Sequence, residues 1–463
     1  MTTAAHRLAG FSSQLRAERI PGAVLDAAKL HILDTLGCGL AAHALDTAPY
    51  AHAVTREQAA DGPATVIGLR DGAPAQDAAF ANGTLCHALD FDDTHPPSVS
   101  HISAVVVPAA LAAAETHGAD GATLLAAIVA GNEVATRVGM AASEAFHAHG
   151  FHPTAVCGVF GATAAAARLR GLDAETTVLA LGIAGSLASG ILEFLADGSS
   201  TKRLHPGFAA RAGVHAAALA AHGATGPATV FEGRFGLYRT YLGRDDVDLD
   251  ALLGGLGSEW ETPQIAFKPY PACHYIHAAL DATIAAVADA GLSADDVEEV
   301  VVISPPAGVH LVLEPAAGKA RPRSEYEAKF SLPFAVASYL RHGRVDVMSF
   351  TDAAIGDEDV LALASRVSYE VKDFETAGSA FPGGARVRTG DGRVIERELL
   401  YQRGDPHNPM SAADVRGKYR SNAALALEQD EVEAVETAVT DLEQLPGLAA
   451  LRALALADAR VAA

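Results

Sequence analysis

Apolar positions recur at helical spacing through the first half of the chain. Val24, Leu25, Ala28, Ile32 and Leu36 form one face of a helix whose first turn accommodates Pro21. Leu124, Leu125, Ile128 and Val129 mark a second, with Asp120 placed to cap it. Asp173 stands ahead of Thr176–Leu192, a stretch without a charged residue. That stretch falls just short of the ~18 residues of a membrane span and holds Gly and Ser, so it predicts a core helix. Another helix is predicted from Pro206 to Ala221, closed by Gly223. Small residues dominate these segments and heptads are not sustained, so close helix packing is expected rather than a coiled coil.

The pattern changes after Trp260. Lys268-Pro269-Tyr270-Pro271 interrupts it, and a helix is predicted from about His277 to Ala290. Val297–Ser304 is a β-branched run ended by Pro305-Pro306, which predicts a strand. Ser324 and Glu327 have the spacing of a capping box leading into Phe330–Leu340, where Pro333 predicts a kink. Arg366–Lys372 alternates like a strand, and Ala385–Tyr401 reads as a hairpin turning at Gly390-Asp391-Gly392. From Ser411 onward the period is helical again. The expected fold is mainly α: a large helical domain built from both chain ends, 1–266 and 406–463, with a smaller α+β lid domain inserted at 267–405.

Composition narrows the function classes. Half of the 463 residues are apolar, which supplies a large core, and the formal net charge is −22. Phosphate neutralisation needs surplus cations, so nucleic acid is not an expected partner, and neither is an anionic membrane. Cys38, Cys86, Cys157 and Cys273 form no C-x-x-C pair and too sparse a set for a disulfide framework. They read as reduced thiols of a cytoplasmic protein, and the N-terminus shows no apolar targeting segment.

Four polar clusters interrupt the apolar sequence. His87-Ala-Leu-Asp90-Phe-Asp92-Asp93-Thr94-His95, followed by His101, gathers carboxylates and imidazoles whose burial is costly unless they are paired or used. Imidazole and carboxylate can exchange protons near neutral pH; the plainer alternative is a capped helix end with solvated side chains. Gly150-Phe151-His152-Pro153-Thr154 places a His at the mouth of a helix, as a cap or a base. Lys202 and Arg203, in the Gly/Ser-rich segment from Asp197 to His205, suggest anion binding, against an ordinary polar turn. Lys268, His274 and His277 stand at the domain junction, where pockets are common. Arg321 and Arg323 either reach the same cleft or sit in solvent.

Seven of these strings, in order along nearly the whole chain, resemble the MmgE/PrpD family: HALDFDDTH, HISAVVVPAALAAAE, GFHPTAVCGVFGATAAAA, DGSSTKRLHPGFAARAG, KPYPACHYIHAALDA, EAKFSLPFAVA and RGDPHNPMS. The family includes 2-methylcitrate dehydratases, cis-aconitate decarboxylases and iminodisuccinate epimerases. The resemblance implies a helical domain with an inserted lid, a site in the cleft between them, a homodimer, and no metal or organic cofactor. It implies a catalytic set of Asp90, Thr94, His101, His152, Lys202 and His277, with His95 the rival of His101 and His274 the rival of His277. Arg203, His274, Lys268 and Arg323 are the candidate substrate-binding residues.

These reactions activate a carbon beside a carboxylate of a small di- or tricarboxylic acid. Lys202, with Arg203, would hold a carboxylate and stabilise the charge that develops. An imidazole would move the proton, Asp90 would orient it, and Thr94 would donate a hydrogen bond. A local cationic pocket can attract such a substrate despite the net charge. The expected function is a cofactor-independent lyase, with an epimerase as the alternative isomerase. A Mg²⁺-dependent terpene-synthase-like enzyme using Asp90-Phe-Asp-Asp is a second alternative, disfavoured by only 6% aromatic residues and a single Trp. A non-catalytic helical binding protein is the third.

Overall fold

The computed structural model describes residues 2–58, 61–142, 144–244, 247–376 and 380–456. They are mainly helical, with a two-stranded and a four-stranded sheet. The chain divides into two compact units, one of residues 1–88, 92–266 and 411–463, the other of 89–91 and 267–410. Each has its own apolar core.

In the first unit the principal helices are α1 (Ala4–Gln14), α2 (Gly22–Ala44), α3 (Ala75–His87), α4 (Ser103–His117), α5 (Gly121–Met140), α6 (Pro153–Leu169), α7 (Ala174–Ala184) and α8 (Thr201–Ala221). A short hairpin, β1 (Ala64–Val66) with β2 (Leu69–Ala73), precedes α3. Asp120 and Asp173 cap α5 and α7 by accepting the amides of Thr123 and Thr176, both at 2.8 Å. Glycines set the closest approaches: a Cβ on Gly83 of α3 would stand 2.9 Å from Gly207 Cα of α8. The small residues read from the sequence thus press α8 against α3, and both carry site histidines.

Two helical expectations are revised. α7 stops at Ala184 with Gly185 as its C-cap, and the rest of the apolar stretch leaves the helical path, Gly190 taking φ +115° and Ile191 bridging to Phe151. α8 begins at Thr201 rather than Pro206, so Lys202 and Arg203 occupy its first turn and not a loop. Pro206 lies inside α8; it withholds one intrahelical donor, which a helix of 21 residues tolerates. Among the described residues no helix is long and apolar enough to cross a membrane.

The C-terminal helices α12 (Ala412–Ala423) and α13 (Gln429–Thr440) belong to the first unit; α12 packs on α2, where Lys418 Nζ meets Asp34 Oδ1 at 2.6 Å. The second unit contains α9 (His274–Asp289), α10 (Glu325–Lys329) and α11 (Leu332–His342), with strands β3 (Val297–Ser304), β4 (Val367–Val371), β5 (Gly383–Thr389) and β6 (Val394–Leu399) in the order β4-β3-β5-β6. The β3–β4 pair is parallel; the other two are antiparallel. Pro333 does not kink a helix: it sits in the first turn of α11, where its missing N–H is not needed, and Ser331 caps that turn. Ser324 accepts the amide of Glu327, but the Glu327 carboxylate is taken by the backbone and guanidinium of Arg323, which leaves half a capping box.

Candidate active site

Four helices of the first unit bring four imidazoles together. His87 ends α3, His101 precedes α4, His152 is the N-cap of α6, and His205 lies in the second turn of α8. The ring centroids of His87 and His101 are 4.7 Å apart, His87 and His152 5.9 Å, His101 and His152 6.2 Å, and His152 and His205 5.1 Å. Local bonds fix each segment. The His101 amide donates to Thr154 Oγ1 at 3.0 Å, and the His152 amide to the Gly190 carbonyl at 3.0 Å. Asp90 and Val99, both non-glycine residues in the left-handed region (φ +54° and +52°), bracket the connection from α3 to α4. For β-branched Val99 this is a strained conformation held by its surroundings.

The hydrogen bonds assign tautomers. His87 Nδ1–H donates to the Asp92 carboxylate at 2.8 Å, and His101 Nδ1–H donates to the Asp93 carbonyl at 2.9 Å. Thr94 Oγ1 lies 3.2 Å from His101 Nδ1, and Asp92 Oδ2 3.4 Å from it. In both rings it is Nδ1 that these bonds engage. Asp93 itself is held by His31 Nδ1 at 2.7 Å. His152 and His205 face each other Nδ1 to Nδ1 at 2.9 Å. Burial pushes the pKa of His152 well below the ordinary imidazole value and that of His205 down to about 4, with nearby positive charge, including Lys202, acting the same way. Lys202 is itself buried, one helical turn before His205. This lysine and the N-termini of α4, α6 and α8 give the cluster a positive field suited to an anion.

His95 takes a different direction from His101. The Pro96–Ser98 turn sends its ring to Ser98 Oγ (2.8 Å) and Glu261 Oε2 (3.2 Å), and burial lowers its pKa despite that carboxylate. Arg203 donates to the Thr47 carbonyl at 2.8 Å. In the second unit, Asp90 accepts from Lys268 Nζ with both its carboxylate (2.7 Å) and its carbonyl (2.9 Å). His277, fully buried, donates from Nε2 to the Ala272 carbonyl, while His274 stacks on Phe381 at 4.9 Å. Arg323 is 86% exposed and held by Glu327, so it sits in solvent, because that carboxylate lies one helical turn away and meets both its backbone and its side chain.

The sequence sets His87 and Asp92 in its densest polar cluster and His205 at the end of the Lys202 segment, but none of the three is in the expected catalytic set. With the helix starting at Thr201 rather than Pro206, His205 falls on the same helical face as Lys202, three residues earlier. One nitrogen of each of His87, His101 and His152 lies within 4.8 Å of the others, a spacing that admits a divalent ion. The positive charge of Lys202 acts on His152 and works against a bound cation there. Each aspartate of Asp90-Phe-Asp-Asp has a basic partner: Lys268 for Asp90, His87 for Asp92 and His31 for Asp93.

The chain matches the MmgE/PrpD N-terminal domain over residues 6–250 and the MmgE/PrpD C-terminal domain over 270–444. It is 31% identical to human cis-aconitate decarboxylase, covering 95% of this chain and 92% of that one. It is 28% identical to a cis-aconitate decarboxylase-like protein of Aspergillus oryzae, with 96% of each covered. It is 27% identical to the cis-aconitate decarboxylase of Aspergillus terreus, with 95% and 93% covered.

Proposed function

Because the chain belongs to the MmgE/PrpD family, and is a lyase of its decarboxylase or dehydratase kind, we propose that it decarboxylates cis-aconitate or a closely similar small tricarboxylate. The observation that carries this is the group of four buried imidazoles beside a buried lysine at three helix N-termini. In decarboxylation the bond from carbon to a carboxylate breaks and its electron pair stays on the substrate. The neighbouring carboxylate or alkene takes up that charge, and a carbon then accepts a proton. Lys202 stabilises the added negative charge, and His101 or His152 delivers the proton. The reaction needs nothing that these side chains do not supply, so no metal or organic cofactor is proposed.

The test is incubation with cis-aconitate, 2-methylcitrate and iminodisuccinate separately in D₂O, followed by NMR. Loss of carbon dioxide from cis-aconitate with deuterium at the protonated carbon is the expected outcome. Water loss from 2-methylcitrate alone, or deuterium exchange without bond cleavage, would replace it by the dehydratase or epimerase reading. We also propose a second copy of the chain as its partner and the cytoplasm as its location. The four cysteines are free thiols, in keeping with a reducing compartment. Light scattering at the mass of a monomer would overturn the dimer.

A further inference from the structure

We propose that His205 is a positioning residue for His152, passing protons through their shared Nδ1–Nδ1 hydrogen bond so that His152 serves the substrate from Nε2 without becoming an imidazolium. The inference rests on the acid–base reading above. A hydrogen bond between two like nitrogens needs one with its hydrogen and one without. At 2.9 Å the two rings therefore hold opposite Nδ1 states. When His205 carries the Nδ1 hydrogen, neutral His152 carries its own on Nε2, ready to donate. When His152 carries the Nδ1 hydrogen, its Nε2 is a base.

A substrate carbanion is then protonated in three transfers. His152 Nε2–H gives its proton to carbon. The Nδ1 proton of His205 crosses to His152 Nδ1, and His205 Nε2 takes a proton from water, whose hydroxide combines with the released carbon dioxide as bicarbonate. Both rings begin and end neutral. The reverse sequence removes a proton from substrate.

The surroundings make this route matter. His152 and His205 are 4% and 3% exposed, and Phe194 lies edge-on to both rings at 6.0 and 5.8 Å. The charged and titratable groups facing the pair are His87 with its Asp92, His101, His147 and Lys202. Burial and the positive neighbours oppose an imidazolium at either position. A lone His152 would have to acquire that charge to act as a general acid; the paired rings do not. The loop above them is built for contact: a Cβ on Gly190 would stand 3.4 Å from His205 Nδ1 and 2.9 Å from Ala155 Cβ.

The experiment has one arm without substrate and one with it. Nitrogen NMR of the histidine-labelled wild-type enzyme should show the two rings neutral at pH ~6, one as the Nδ1–H and the other as the Nε2–H tautomer. Two rings of the same tautomer, or independent titration near the ordinary imidazole value, would overturn the proposal. In the second arm, His205→Asn places an amide where Nδ1 was, which keeps a hydrogen bond to His152 but cannot pass a proton. With whichever acid is turned over, kcat should fall on the order of 10²-fold with KM nearly unchanged. The solvent isotope effect should lose its dependence on more than one moving proton. Unchanged kcat and isotope effect in a folded His205→Asn enzyme would reduce His205 to packing. If His205→Asn does not fold, the wild-type spectrum decides; if no acid is turned over, the reading of function fails while the spectrum still judges the pair.

Discussion

His95 and His101 lie on either side of one turn and have separate tasks. His101 faces imidazoles and the Asp93 carbonyl, whereas His95 is bound to Ser98 and Glu261. His101→Ala and His152→Ala are each expected to lower kcat by about 10²–10⁴ with little change in melting temperature. His95→Ala should leave kcat within a few-fold but cost about 1.5–3 kcal/mol of stability, since it strips the Glu261 carboxylate of a charge-assisted partner. Steady-state kinetics beside thermal melts separate the two patterns. Lys202→Ala removes a cation that substrate and transition state both use, so kcat should fall and KM rise, with kcat/KM lowered about 10–100-fold. Unchanged kinetics in a folded variant would make Lys202 a structural residue of the α8 first turn.

At the scale of elements, the Gly190 loop and the start of α8 hold the His152–His205 contact. Gly190→Ala would place a Cβ against Ala155 at a backbone angle that suits only glycine. It is expected to lower stability by about 1–3 kcal/mol and to reduce kcat, read by denaturant unfolding and by rate. The elements also show where local chemistry was readable. The caps at Asp120 and Asp173, the strand Val297–Ser304 and the turn at Gly390-Asp391-Gly392 depend on neighbours a few residues away, and the sequence names them. The start of α8 does not: Pro206 signals a first turn, but packing against α3 carries the helix back to Thr201. His101, His152 and Lys202 stood out as polar residues in apolar surroundings. His87 shares the polar cluster of His101 in sequence; that these two meet His152 and His205 follows from four helices converging, which no local pattern records.

At the scale of the whole molecule, a buried ion pair joins the two ends of the chain in the first unit. Burial raises the pKa of Asp34 on α2 to about 6, against the opposing pull of Lys418 on α12. A raised carboxyl pKa means that the folded state holds the proton more tightly than the unfolded one. The contribution of Asp34 to stability therefore grows as pH falls from above 6 toward 3.8. Lys418→Met should thus cost about 3–5 kcal/mol near neutral pH, where a lone carboxylate stays buried, and less near pH ~5, where Asp34 takes a proton. Melts at the two pH values check it; an equal loss at both would mean that Lys418 acts only by packing. Exhaustive chelation is expected to leave activity intact, and activity restored only by added Mg²⁺ or Zn²⁺ would contradict the acid–base reading.

Leu89–Phe91 belongs to the second unit although it lies some 175 residues from the rest of it in sequence. This tripeptide supplies the Asp90 carboxylate and carbonyl to Lys268, and the Leu89 carbonyl to Lys329 at 3.0 Å. Both ammonium groups are almost fully buried. The unit is therefore not a cassette. A polypeptide of 267–410 alone would bury Lys268 without its carboxylate, and a graft of that segment onto a relative would inherit whatever tripeptide the host carried. Recombination or domain swapping within this family would have to move the two pieces of chain together, so the few residues between His87 and Asp92 constrain exchange of a segment more than a hundred residues long.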